Sequence, residues 1–529
     1  MKSGVILAWV AAAMAMGAWV GGAAAASDSD MLEHALGGVV TVAVYKTADY
    51  SQPFGFGAAD AYEKLLNLSG AMESGSGFCV QRNGKNYIVT NCHVIEGAAD
   101  DAGSVAVFSM TRTKYPMHVV GADSFIDIAV LEFADKPPGP EIVNLKFTTD
   151  APRLGEKVFA IGNPYGEYPY AISSGIVGGL NRVRAGSTGK FGYLESTATI
   201  IWGNSGGPLV NEGGDVAGMN TGIEIRQRFN QYFIEPQINF ALEAAIASRA
   251  VDDIIASGRV HRAFLGVRFS QDFGAPRTNT DPEFVDIGAK PIINDVLPDS
   301  PAAAALTQYK GAVVTKVNDA SVDNIEEVLA ALEAVRPGDT CTVWLDQNGH
   351  TSKVAVKTDE LTQDRESAWA QHILGSLGWT VRQTDAGVTV QNTGGAGPSV
   401  AAAAQDQSQT GVFGHLQATP PNDQRQPTRS QQFLFGGPTP GFQPYKPATP
   451  AAPPAPPTQT LIALGLFDDQ GKAVSVWKTG NLKDLGVAVR LAALEGRIDM
   501  GVHGDKDQLS VLRVWLSGEE GKLSRSLLY

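Results

Sequence analysis

From residue 37 to about residue 242 the chain is written in short apolar or alternating runs: Val39 to Tyr45, Gly77 to Val80, Tyr87 to Thr90, Val105 to Ser109, Ile128 to Phe133, Lys157 to Ile161, Tyr193 to Thr197, Pro208 to Val210 and Val216 to Asn220. Glycine and asparagine breaks separate them, a pattern that predicts an all-β domain. Leu242 to Ser257 is rich in Ala, Ile and Val and predicts a closing helix, stopped by Gly258. A second unit starts at Phe264 and mixes strands (Ile292 to Val296, Gly311 to Val317, Cys341 to Leu345) with helices (Pro298 to Leu306, Asn324 to Val335). After Leu361 the pattern thins. Residues 405–460 are rich in Pro, Gln, Thr and Ala and predict a disordered linker, and apolar content returns in 461–529.

The chemistry concentrates at Gly203-Asn204-Ser205-Gly206-Gly207-Pro208. Glycines flanking a serine allow a sharp bend that leaves amide N–H groups aimed at one point, where an oxyanion could form. A serine hydroxyl needs a histidine base, itself oriented by a carboxylate. Of the three histidines between the leader and the serine, His34 lies in a polar segment and His118 in an alternating strand, whereas His93 ends the β-branched run from Tyr87. Asp127, in Phe125-Ile126-Asp127-Ile128-Ala129-Val130-Leu131, is a carboxylate in an otherwise apolar strand and so requires a specific partner.

These pieces, taken in order with Gly75-Ser76-Gly77-Phe78, Ala160-Ile161-Gly162-Asn163-Pro164 and Ser174-Gly175-Ile176-Val177, resemble the HtrA (DegP, Deg) family of trypsin-like serine proteases over most of residues 37–361. The family order His, Asp, Ser falls on His93, Asp127 and Ser205. The resemblance implies a mainly β fold, a trypsin-like double six-stranded β-barrel (27–258) followed by an α+β PDZ domain (262–361). It implies an oxyanion hole on Gly203, Asn204 and Ser205, with the Gly203 and Ser205 amides as donors. A primary pocket is implied at Thr199, Ile200, Asn220, Thr221, Gly222 and Ile223; none is acidic, which points to cleavage after small or medium aliphatic residues. In the PDZ unit, Phe264, Leu265, Gly266 and Val267 lead into an exposed edge strand that would accept C-terminal peptides. Relatives are often trimers or larger, which implies a homo-oligomer. Residues 362–404 are read as a degenerate second PDZ domain or an unassigned segment, and 461–529 as a separate small module.

Two departures bear on regulation. Ile201-Trp202 stands where relatives carry Asn-Pro, beside the oxyanion turn, and Glu243 stands where relatives often have proline. Arg182 to Tyr193 matches in position the loop that senses bound peptide in relatives.

Charge, leader and cysteines narrow the picture further. The net charge of −14 without basic clusters argues against nucleic-acid binding. Residues 1–26, with Lys2, the apolar stretch Val5 to Val20 and Ala24-Ala25-Ala26, predict a cleaved secretory signal, hence a periplasmic or cell-envelope protein. Cys79 and Cys92 lie on the arms of a hairpin turning at Asn83-Gly84, which sets Cys79 opposite Ile88 and leaves a bridge dependent on a bend near the histidine. No Cys/His cluster has metal-ligand spacing, and no cofactor is expected. The expected partners are unfolded protein substrates. A chaperone or PDZ adaptor with little turnover on a protease scaffold is the competing class.

Overall fold

The structure is a computed structural model, and it describes residues 28–45, 73–95, 98, 103–163, 170–182, 192–201, 203–228, 231–274, 290–385, 387–393, 399–401, 458–467, 473–503, 509–519 and 522–529. The leader, Trp202, residues 183–191 of the sensing loop and nearly all of the Pro/Gln-rich stretch lie outside these residues.

After α1 (Asp28–Gly37), strands β1 (Val39–Val44), β2 (Glu73–Arg82), β3 (Lys85–Thr90), β4 (Val105–Phe108), β5 (Lys114–Asp123) and β6 (Ile128–Phe133) close a barrel in the order β1-β2-β3-β6-β5-β4. Strands β7 (Lys157–Gly162), β8 (Ala171–Arg182), β9 (Tyr193–Ser196), β10 (Pro208–Asn211), β11 (Val216–Arg228) and β12 (Gln231–Glu243) close a second, ordered β10-β11-β12-β9-β8-β7. Closure removes the sheet edges. Val42, Ile88, Val107 and Leu131 fill the first barrel, and Val158, Ala160, Leu209 and Ala241 the second. A third buried cluster joins Phe78 and Val89 of one to Phe159, Ile161 and Val210 of the other, which fixes the two barrels as a pair. The β2–β3 turn is the tight reversal that Asn83-Gly84 predicts: both residues have positive φ (51° and 77°) and Cys79 faces Ile88.

Helix α2 (Ala244–Ser257) ends at Gly258, whose φ of 78° and N–H to the Ile254 carbonyl (2.7 Å) form a left-handed cap. The PDZ unit comprises β13 (Ala263–Phe264), β14 (Val267–Gly274), β15 (Ile292–Val296), α3 (Ala303–Leu306), β16 (Val313–Val317), β17 (Ala320–Ser321), α4 (Ile325–Glu333), β18 (Thr340–Gln347), β19 (His350–Lys357) and β20 (Asp359–Glu360). Asn324 caps α4 by accepting the Glu327 N–H at 2.8 Å.

The C-terminal region differs from the sequence expectation. Helix α5 (Gln363–Ser376) and strands β21 (Trp379–Thr384), β22 (Gly387–Asn392) and β23 (Ser399–Ala401) do not form a unit of their own. They join β24 (Gln459–Phe467), β25 (Ala473–Lys478), α6 (Leu482–Ala493), β26 (Arg497–His503) and β27 (Leu509–Trp515) around one sheet ordered β21-β22-β24-β26-β27-β23, with β25 on β24. Trp369, Ala370, Ile373 and Leu374 of α5 are buried, and α5 packs on α6 where Gly486 leaves no room for a side chain: a Cβ there would meet the Glu366 carbonyl carbon at 2.9 Å. The last strand, β28 (Leu523–Leu528), leaves this sheet and pairs antiparallel with β14 of the PDZ unit.

Among the described residues no helix is long and apolar enough to cross a membrane.

Candidate active site

Asp127 sits just before β6 rather than within a strand. Its φ of 59° is a left-handed conformation that interrupts extended backbone and that aspartate tolerates better than most residues. The side chain is fully buried. One carboxylate oxygen accepts the His93 backbone N–H at 3.0 Å, and the other lies 2.7 Å from His93 Nδ1. An ionised carboxylate only accepts, so this pairing places the ring proton on Nδ1 and leaves the Nε2 lone pair available. His93 opens a 3-10 turn, His93–Ile95, and its ring keeps 22% exposure, so Nε2 can be reached from solvent.

The turn that carries Asp127 is itself anchored. Asp123 accepts the Ile126 N–H at 3.0 Å and takes a two-pronged contact from Arg262, at 2.6 and 3.0 Å. Arg262 spends its Nε on Glu333 of α4 at 2.8 Å, and Arg249 reaches the same carboxylate at 2.8 Å. Burial alone would raise the Asp123 carboxyl, but the charge and hydrogen bonds of Arg262, with help from Arg490 and the Ile126 N–H, outweigh it and hold the group below the usual range.

Ser205 stands across the cleft on the second barrel, in a turn built from glycine for geometric reasons. Gly203 and Gly206 have φ of 95° and 84°, and a Cβ on Gly207 would come 2.2 Å from the Ile161 carbonyl oxygen. The Ser76 N–H donates to the Ser205 carbonyl at 2.8 Å and the Ser76 hydroxyl to the Gly203 carbonyl at 2.6 Å, so β2 clamps both sides of the turn. The Asn91 amide bridges the barrels, donating to the Asp127 carbonyl (2.8 Å) and to the Thr221 hydroxyl (3.1 Å). Ser205 Oγ donates to the Thr221 carbonyl at 3.3 Å. Ser76, Asn91 and the Thr221 carbonyl are therefore positioning groups that sequence reasoning did not assign. The glycines on either side of Ser76 were the available signal: a Cβ on Gly75 would meet Val94 at 2.7 Å and the Ser205 carbonyl oxygen at 3.1 Å.

The expected pocket positions divide. Thr199 is exposed, with its carbonyl taken by the Ser173 hydroxyl at 2.7 Å, while Ile200 is buried in the second barrel's core. Asn220 is fully buried, and its amide is spent on the Ile161 and Pro208 carbonyls at 3.2 and 3.1 Å. Thr221 and Gly222 follow on β11 beside the Ser205 turn, and the Ile223 side chain is outside the described atoms. In the PDZ unit Phe264, Leu265 and Val267 are buried, and the β14 edge expected to be open is covered by β28. Cys79 and Cys341 are free thiols, and burial pushes both up to about 12. Among the described residues no three His, Cys, Asp or Glu side chains cluster as metal ligands would.

Paired six-stranded barrels, an Asp–His pair on one and a glycine-flanked serine on the other, and a following PDZ unit define a trypsin-like serine endopeptidase; residues 75–219 match the trypsin-like peptidase domain family and 263–358 the PDZ domain family. The chain belongs to the HtrA/DegP family of serine proteases. It is 32% identical over 286 residues to serine endoprotease DegS of Salmonella typhimurium, covering 54% of this chain and 76% of that one. It is 30% identical over 297 residues to the chloroplastic protease Do-like 1 of Arabidopsis thaliana, covering 54% and 63% respectively. With a probable periplasmic DegP-like serine endoprotease of Chlamydia trachomatis the identity is 31% over 296 residues, covering 56% of each chain. The chain thus spans less than two thirds of the last two relatives.

Proposed function

We propose that this chain is an exported serine endopeptidase that cleaves partly unfolded proteins through an acyl-enzyme, with Ser205 as nucleophile, His93 as general base and Asp127 as the orienting acid. The observation that carries the reading is the convergence of two separate barrels on one cleft, the Asp127–His93 pair from one and the Ser205 turn from the other, bridged by Asn91. In the resting arrangement the Ser205 proton points to the Thr221 carbonyl. Rotation of the serine side chain exchanges that long bond for one to His93 Nε2. Oγ then attacks the scissile carbonyl as Nε2 takes its proton. The oxyanion settles on the amides of Gly203 and Ser205, in the turn held by Ser76, and Asn204 between them keeps the turn closed through its carbonyl bond to the Gly207 N–H, 3.0 Å. His93 returns the proton to the leaving amine as the C–N bond breaks, and water reverses the sequence to release the acid.

Export is supported by the leader composition and by the periplasmic description of the Chlamydia relative. Assembly into trimers or multiples and regulation by peptides at the PDZ unit belong to the same reading. For specificity, the absence of any acidic residue among Thr199, Ile200, Asn220, Thr221, Gly222 and Ile223 favours small or medium aliphatic residues before the cleaved bond. Digestion of a peptide library with mass-spectrometric readout is expected to give cuts after Val, Ala and similar residues. Rapid cleavage after Lys with aliphatic sites ignored would reject the pocket assignment.

A further inference from the structure

Strand β28 runs antiparallel along β14, in a register unbroken from Arg268 to Asp272: Arg268 faces Leu528, Phe269 faces Leu527, Ser270 faces Ser526, Gln271 faces Arg525 and Asp272 faces Ser524. At its end the Tyr529 backbone oxygen accepts both the Gly266 and Val267 N–H groups, at 2.8 and 2.9 Å, and the Tyr529 N–H donates to the Val267 carbonyl at 3.1 Å. Gly266, with φ of 77°, is what lets two successive amides point at one oxygen. This is addition of a strand to the edge of a PDZ sheet, with the turn amides closing on the end of the added segment.

The side chains fit the groove as well as the backbone does. Alternation along a strand puts Arg525, Leu527 and Tyr529 on one face. Arg525 pairs with Glu326 of α4 at 2.8 Å, Leu527 is 1% exposed, and Tyr529 is 1% exposed among Glu333, Arg262, Arg249 and Arg490. On the other face Arg268 of β14 donates to the Ser526 hydroxyl at 3.1 Å and to the Leu516 carbonyl at 2.7 Å, tying the seated strand to the module that delivers it.

We propose that residues 523–529 are a built-in ligand of the PDZ groove, which keeps the extended ends of other polypeptides out until the strand is displaced. The displacing chemistry is readable from the seat: an aromatic residue at the position of Tyr529, an aliphatic one two residues before it, and a basic one two before that to meet Glu326. A tethered ligand competes at an effective concentration on the order of millimolar, so if the strand's own affinity is about ten micromolar, an outside peptide loses about a hundredfold in apparent affinity. The inference rests on the groove being a peptide site and is independent of the chemistry at Ser205.

The test uses a fluorescein-labelled peptide of residues 523–529 and its anisotropy with the Ser205→Ala chain, which cannot digest the probe. The intact chain is compared with one ending at Lys522. The truncated chain is expected to bind, and the intact chain to bind at least tenfold more weakly. Because truncation could unfold the C-terminal module, a second measurement stays within the full chain. Ser270 and Ser526 are directly opposed and buried, so Ser270→Cys with Ser526→Cys should form a disulfide under diamide, identified by peptide mass mapping. Formation of the cross-link with further exclusion of the probe, reversed by reductant, supports the proposal. Equal probe binding by intact and truncated chains, or no cross-link, overturns it while leaving the groove a peptide site. Failure of a folded truncated chain to bind the probe overturns the peptide-site reading and the proposal together.

Discussion

Ser205→Ala is expected to abolish cleavage of an unfolded substrate such as casein, by about 10⁴-fold or more, because it removes the hydroxyl that would form the acyl bond. Little else should change. The side-chain oxygen makes a single long bond to the Thr221 carbonyl, and the turn is held instead by backbone contacts that alanine keeps, including the Ser76 N–H to the carbonyl of residue 205. The melting temperature should stay within a few degrees of the parent's. An active Ser205→Ala chain would contradict the assignment of Ser205 as nucleophile, and loss of fold would contradict the reading that backbone contacts hold the turn.

Gly206→Ala should be nearly as damaging through a different cause. At φ 84° a side chain is strained wherever it sits, at about 1–2 kcal/mol, and here the added Cβ would also lie 2.1 Å from the Ser76 carbonyl oxygen and 2.4 Å from Thr90 Oγ1. Ser76 belongs to the strand that clamps the turn, so it cannot yield without moving Gly203 and Ser205. The expected result is a loss of roughly 3 kcal/mol or more in denaturant unfolding, the strain and overpacking costs combined. Activity should fall by about a hundredfold or more even where the chain is folded, since a displacement of about 1 Å at the nucleophile costs that much. Gly349→Ala is the control, because its φ of 83° is similar but nothing lies within 4 Å. It should cost only the backbone term and leave cleavage unchanged. Equal behaviour of the two variants would show that the clamp around Gly206 is not what holds the site.

What could be read from residue order was local. The period-two runs gave the barrel strands, Asn83-Gly84 the first hairpin, and the glycines around Ser205 the turn, because each depends on neighbours in sequence. What could not be read depends on partners far away. Period-two alternation says which face of a strand is buried but not against what, and Arg268 and Ser526, which meet in the PDZ groove, are 258 positions apart. The same limit hid the merger of β21 and β22 with β24, where Thr389 pairs with Thr460. The charge of Asp127 in an apolar run is legible, but its place outside the strand is not, since it depends on the left-handed φ from which the carboxylate reaches both the backbone and the ring of His93. Ser76 escaped because a serine between glycines announces a bend and not the partner across the bend.

The most direct test of the serine-nucleophile account is labelling of the folded chain with a fluorophosphonate, which forms an O–P bond with an activated serine as fluoride leaves. Peptide mass mapping should find one adduct, on Ser205, absent from the unfolded chain and from Ser205→Ala and strongly diminished in His93→Ala. An adduct on a different serine, or none on a folded chain, would contradict it.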